Sequence, residues 1–350
     1  MADLAKRFTQ NPIIKPQDVK PSSPELEVIG AFNPGAFSYQ NNIYLLLRVA
    51  ERPLPKEGVV RIAVHDSTVD GSIKLIEYKK DDPDLKFTDP QTFLYKGRAH
   101  LATTSHLRLA KSKDGINFEI DKFPSIVGDS SLEPFGLEDC RVVKIADEYY
   151  LTYTSVSPDG ICVGMMSTKD WIHFHRHGLI FPPHDKDCAL FPEKIGNNYF
   201  ALHRPSGICF GGHNIWICRS NDLIHWGEHS CLARTRYGYW DSDRIGANSS
   251  PLKTDHGWLV IYHGVNEKKI YCLGAMLLDL ENPSEIIARS DEPIMEPTTN
   301  YEKNGFFSNI VFTNGHLEDG DKLTIYYGGA DSVTCGASFS IKEILSFLKV

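Results

Sequence analysis

Between Gly136 and Val142 the chain reads G-L-E-D-C-R-V. Two carboxylates, Glu138 and Asp139, and one guanidinium, Arg141, stand within four positions at the mouth of an apolar run. Two acids and a guanidinium at the mouth of an apolar strand raise the question of a functional loop. A solvated turn would use the same residue types, so the stretch decides nothing by itself. Elsewhere stand Arg48, Arg204 and His263, in a chain whose formal net charge is −8. Cations gathered within an acidic chain suit an anion or a polyhydroxylated ligand, bound through charge-assisted hydrogen bonds.

A repeat ties these residues together. A turn bearing Asn, Gly or Asp leads into a short aromatic and aliphatic strand at 41–48, 97–104, 147–154, 197–204, 256–263 and 321–328. Aligned on Tyr44, His100, Tyr150, Phe200, Leu259 and Thr324, the copies lie 56, 50, 50, 59 and 65 residues apart. Four residues after each anchor come Arg48, Thr104, Thr154, Arg204, His263 and Gly328, so three of six equivalent positions are basic or potentially so. A second motif, Ser then Asp then an aromatic, recurs at 112–118, 167–174 and 220–226 and predicts a strand–turn–strand unit. Short strands at this period predict an all-β propeller of five or six blades, whose equivalent positions face one central space. Helical signal is confined to Ser340–Leu348, an amphipathic segment with Ser340 as N-cap. No low-complexity linker interrupts residues 1–350, which read as a single domain.

Composition narrows the partners. Hydrophobic content of 41% and charged content of 23% are those of a globular protein. An acidic balance without a basic face argues against nucleic acid and anionic membranes. No apolar run reaches the ~20 residues of a membrane span, and the start carries no apolar signal region. Eight cysteines without C-x-x-C spacing, most of them in strand-like runs, read as buried free thiols of a reducing cytoplasm. The alternating H-F-H-R-H at 173–177 reads as an exposed strand face, so no metal is expected. Neither a P-loop nor G-x-G-x-x-G occurs, so no nucleotide cofactor is expected either.

Nine stretches in order carry a resemblance. Among them are A-F-N-P-G-A (31–36), L-L-L-R-V-A-E (45–51), G-L-E-D-C-R-V (136–142), K-D-C-A-L-F-P-E-K-I (186–195), A-L-H-R-P (201–205) and Y-Y-G-G-A-D (326–331). Through them the chain resembles the mannoside phosphorylases and mannosidases of glycoside hydrolase family 130, in particular the members acting on β-1,2-mannosides. The resemblance implies a five-bladed β-propeller with a short C-terminal helix. It also implies cleavage of β-mannosides with inversion, by inorganic phosphate as co-substrate or, in some members, by water. It makes Asp139 the general acid, with Arg141 orienting the loop by pairing with an acid such as Glu138. Asn33, Arg48, Glu138, Lys253 and Asp331 fall on mannose-binding positions, and Lys186, Arg204, Tyr262 and His263 on phosphate-binding ones.

Two departures stand out. Cys140 follows the acid where the family usually has Pro or a small residue, and I-G-A-N-S-S-P (245–251) replaces a Gly-rich run. Asn248 and Ser249 are therefore expected to re-shape the phosphate site. The alternatives are an inverting hydrolase recruiting Glu133, Glu228 or Glu267 as base, and a non-catalytic sugar-binding protein. Oligomeric state is left open, a homo-oligomer included.

Overall fold

The computed structural model describes residues 3–69, 72–88, 92–129, 132–207 and 211–350. Cys209 therefore lies outside the described residues. The chain is all-β and runs mainly as antiparallel meanders, one sheet after another. The first sheet holds Leu26–Tyr39, Asn42–Pro53, Thr104–Ser112 and Glu119–Ile120. The second holds Leu137–Ile145, Glu148–Ser157, Gly160–Thr168 and His175–Phe181, and the third Asp185–Leu190, Tyr199–Pro205, Ile215–Ser220 and Trp226–Ala233. In the fourth, Arg244–Ala247 and Leu252–Thr254 both pair with Gly257–Val265, followed by Tyr271–Leu278 and Ile286–Arg289. The fifth runs Val311–Asp319, Lys322–Gly329, Val333–Ser340, and then takes its outermost strand, Lys6–Arg7, from the other end of the chain.

Apolar side chains bury between sheets. Leu46, Leu107, Leu137 and Leu151 lie between the first and second, and Val143, Met165, Leu190 and Cys218 between the second and third. Phe191, Ile217, Trp258 and Val260 fill the next junction, and Leu259, Leu273, Ile325 and Ala337 the one after it. Leu45, Leu47 and Tyr326 join the fifth sheet to the first. Between the second and third strands of the first sheet the chain inserts the hairpin Val59–His65 with Ile73–Lys79, then the small sheet Leu85–Phe87, Thr92–Tyr95 and Arg98–Leu101.

The Ser–Asp motif is a turn that satisfies its own backbone. Asp114 Oδ1 accepts from the amides of Ile116 and Asn117 at 2.9 and 2.8 Å, and Asp222 Oδ1 from those of Ile224 and His225 at the same distances. Such Asx geometry stops the strand where the outermost one must begin. The C-terminal helix spans Ile341–Phe347, and Ser340 Oγ accepts from the Glu343 amide at 3.1 Å. A second short helix, Asn300–Lys303, was not legible as a helix in the sequence.

Five of the six repeat copies are the second strands of the five sheets. The copy at 97–104 is the exception. It runs out of the inserted sheet, and Thr104 opens the third strand of the first sheet, opposite Glu51.

Candidate active site

A feature absent from the sequence reading sets the geometry. In the first strand of each of the first three sheets the pairing register slips: after Val28 in the first sheet alone, and at corresponding places in all three after Phe32, Glu138 and Lys186. The residue that follows is Asn33, Asp139 or Asp187, each with left-handed backbone at φ 47°, 50° and 55°. Asn and Asp tolerate that region better than other residues with a Cβ, and a bulge re-aims the side chain. Just before each of these three corresponding slips, the opposite residue on the second strand is Arg48, Thr154 or Arg204. Bulge and cation thus arrive together at one end of the strand pair in the first and third sheets, and bulge and threonine in the second.

The result is a cavity of about 320 Å³ lined by Asn33, Arg48, Glu138, Asp139, Lys186, Asp187, Arg204, Arg244, His263 and Asp331. Phe32, Tyr271, Phe306, Phe307, Ile310 and Phe312 complete the wall. Its size is at the small-ligand end of binding pockets, and charged groups opposite aromatic faces suit a sugar with an anionic partner.

Two charge clusters share the space. In one, Arg48 reaches Glu138 Oε1 at 2.6 Å and Asp139 Oδ1 at 3.2 Å, while Asn33 Nδ2 donates to the same Asp139 oxygen at 3.0 Å. Burial opposes charge on Asp139, but Arg48, Lys186, the Asn33 hydrogen bond and Arg141 outweigh it and hold the carboxyl below its ordinary value. Asp331 goes the other way. Burial, helped by the Asp139 and Glu138 charges, pushes it up to about 7 against the pull of Arg48.

In the second cluster, Asp187 Oδ1 accepts from Arg141 at 3.1 Å, and its Oδ2 forms an ion pair with Arg204 Nη1 at 3.1 Å. Burial opposes its charge, yet Arg204 leads the neighbours that keep its carboxyl well below the usual range. His263 Nδ1 lies 2.8 Å from Asn248 Oδ1, and its Nε2 lies 3.1 Å from Arg204 Nη1. Burial lowers this imidazole to about 3, and Arg204 and Arg141 add to the effect. His263 is therefore neutral, donating to Asn248 and accepting from Arg204. Arg204 Nε, by contrast, has no hydrogen-bond partner, and the Lys186 side chain makes no hydrogen bond or ion pair among the described residues.

The structure corrects four expectations. Tyr262 lies outside the cavity: it neighbours His263 on a strand, so its side chain faces the other way, and its hydroxyl donates to Asp241 at 3.0 Å. Lys253 is also outside, exposed and paired with Glu193. It sits opposite Trp258, five residues and ~16 Å of strand from His263. Arg141 does not pair with Glu138; it binds Asp187 and the carbonyls of Asp139, Ala247 and Asn248. His263 lines the cavity as expected but is not a cation, and Arg244, unremarked in the sequence, lines it as well, beside Tyr271 at 3.3 Å. Of the departures, Asn248 fixes the His263 tautomer, whereas Ser249 bonds His316 at 2.6 Å and lines a different cavity. Glu133, Glu228 and Glu267 do not line the site. Glu133 is tied to Tyr153 and Arg176, Glu228 to Arg219, and Glu267 is exposed.

The chain is similar to known proteins over nearly its whole length. The family profile for glycoside hydrolase family 130, described as beta-1,4-mannooligosaccharide phosphorylase, matches residues 85–350. A beta-1,2-mannobiose phosphorylase of Listeria innocua serovar 6a is 41% identical over 348 residues, 98% of each chain. A 1,2-beta-oligomannan phosphorylase of Thermoanaerobacter sp. is 41% identical over 69% of this chain and 80% of its own length. The solved structure of the beta-1,2-mannobiose phosphorylase from Listeria innocua, in complex with beta-1,2-mannobiose, superposes with a TM-score of 0.94 at 40% identity, covering 99% of both chains.

Proposed function

Because the chain belongs to glycoside hydrolase family 130, we propose that it cleaves β-1,2-linked mannobiose and short β-1,2-mannans by phosphorolysis. Its reaction releases α-mannose 1-phosphate and a sugar shortened by one mannose, with inversion and with no cofactor beyond inorganic phosphate. The observation that carries this reading is the convergence of Lys186, Arg204 and Arg244 on the cavity that holds Asp139. The 1,2 linkage rests on the two relatives above, both named for it at 41% identity, although the family profile is named for 1,4.

The roles follow from the two clusters. Asp139 gives its proton to the glycosidic oxygen while Asn33, Arg48, Glu138 and Asp331 hold the mannose being transferred. Phosphate, held by Lys186, Arg204 and Arg244, attacks C1 from the opposite face. The bond from C1 to the leaving sugar breaks, a C1–O–P bond forms, and the Asp139 proton leaves on the released sugar. An acid depressed by cations is poorly charged with its proton in the free protein. A bound phosphate offsets Lys186, so the nucleophile's arrival raises the proton affinity of the acid. Nucleophile and acid are thereby coupled, which disfavours hydrolysis when phosphate is lacking.

The hydrolase alternative has one observation in its favour. Asp331, with its pKa near 7, has the proton affinity of a water-activating base. An inverting base must work across the ring from the acid. Asp331 answers to the same Arg48 as Asp139, which favours a sugar-holding role. Incubation of β-1,2-mannobiose with and without inorganic phosphate separates the readings. The expected result is mannose 1-phosphate plus mannose only when phosphate is supplied; free mannose as sole product in phosphate-free buffer would establish the hydrolase.

The sheet order, with each sheet packed on the next and the fifth on the first, supports one five-bladed propeller domain over residues 1–350. Among the described residues no helix is long and apolar enough to cross a membrane. Among the described residues seven free thiols, six of them buried, favour the cytoplasm.

A further inference from the structure

Away from the cavity, three adjacent strands of the third sheet bring His203, Cys218 and His229 together, with one ligand atom from each within 4.8 Å of the others. The register explains the grouping. Ala201 pairs with Cys218 and His203 with Trp216, so His203 and Cys218 are same-face diagonal neighbours. His229 lies in the irregular stretch of the outer strand opposite Cys218, between the pairs Ile217–Ser230 and Arg219–Gly227. Strand alternation turns His203 away from Arg204, so this cluster is separate from the active site.

We propose that His203 Nε2, His229 Nδ1 and Cys218 Sγ form a binding site for a zinc-class divalent ion. Two imidazoles and a thiolate are a borderline-soft donor set that suits zinc, with a fourth position for water. The two facing ring nitrogens are 3.1 Å apart, close to the ~3.3 Å edge of a tetrahedron with zinc–nitrogen bonds of about 2.0 Å. His203 Nδ1 is held at 2.7 Å by Asp185, the carboxylate–histidine arrangement that aims the remaining nitrogen at a metal. The other Asp185 oxygen is buried without a hydrogen-bond partner, and the residue is 6% exposed. Phe181, from the neighbouring sheet, stacks on His203 at 4.6 Å and stiffens the site. An open cavity lined by Asp185, His203 and His229, with His184 beside them, provides the entry path. Coordination exchanges the Cys218 thiol proton, now 3.7 Å from the Ala201 carbonyl, for the ion. It staples three strands, one of which carries Arg204 as its next residue.

The test uses the full chain, stripped with a chelator. Calorimetric titration with zinc is expected to give one equivalent, and cobalt a thiolate-to-metal charge-transfer band. Cys218→Ser should abolish that band. His229→Gln, at an exposed position and therefore safe for folding, should weaken zinc binding at least tenfold, and Asp185→Asn by ~10–100-fold. Zinc should raise Tm in the parent and not in His229→Gln. The double variant His175→Gln/His177→Gln removes two histidines of the adjacent sheet, one exposed and one half-buried, and should not change zinc binding. Absence of stoichiometric binding, a cobalt spectrum without the thiolate band, or binding lost only in the double variant would each overturn the proposal.

Discussion

Asp139 is held by Asn33 and Arg48 on one oxygen and, through its main-chain carbonyl, by Arg141. Asp139→Asn should keep the fold, because an amide can take the same hydrogen bonds. Turnover should fall by ~10²–10⁴-fold, the usual worth of a general acid. Mannose 1-phosphate formation, with circular dichroism as the folding control, checks both halves. Asp331 makes a prediction about pH. The unfolded chain loses this proton near 3.8, whereas the folded protein keeps it to about 7. The folded state therefore binds more protons across that window, and its stability falls as pH rises through it. Asp331→Asn should lessen the drop in Tm between pH 5 and pH 8 relative to the parent; parallel profiles would mean that Asp331 is ionised throughout. Arg48, Arg204 and His263 were legible because equal phase in a repeat survives in one sequence. The neutral state of His263 was not, since it depends on burial and on Arg204, which only folding brings beside it.

The strand pair with a bulge at its inner end is the working element, and close packing there leaves no room for a side chain at Gly246. A Cβ at that position would stand 2.4 Å from His263 Cε1 and 2.5 Å from Asp187 Oδ2. Gly246→Ala should push both groups off Arg204. The expected outcome is a phosphate KM raised by up to ~10²-fold, as misplacement by about 1 Å can cause, with a smaller change in the mannoside KM. Initial rates at varied phosphate measure it. The strands themselves were readable from turn residues and aromatic runs, and the C-terminal helix from its cap. The bulges were not: a slip of one residue leaves no period, and F-N-P, E-D-C and K-D-C share only an amide or acid at the centre. Tyr262, expected with His263 in the phosphate site, faces away from it because consecutive residues of a strand point to opposite sides.

Over the whole molecule, the two ends of the chain are joined in the fifth sheet. Lys6 and Arg7 pair with Ser338 and Ala337, and Asn11 exchanges two 2.8 Å hydrogen bonds with Gly336. Arg7 Nε reaches the buried Glu302 carboxylate at 2.7 Å, which Tyr327 and the Thr298 and Thr299 amides also address. Arg7→Ala strands that carboxylate, and removing one partner of a buried pair costs ~3–5 kcal/mol. The urea midpoint should fall accordingly, while KM values at low temperature stay near those of the parent. This closure also orders events in time. A ribosome makes Lys6 and Arg7 more than three hundred residues before their partner strand, at roughly 5–20 residues per second. For upwards of about fifteen seconds Lys6 and Arg7 wait without a mate, while earlier sheets can already have formed. The last act of assembly thus recruits a strand translated before any of the five sheets it completes.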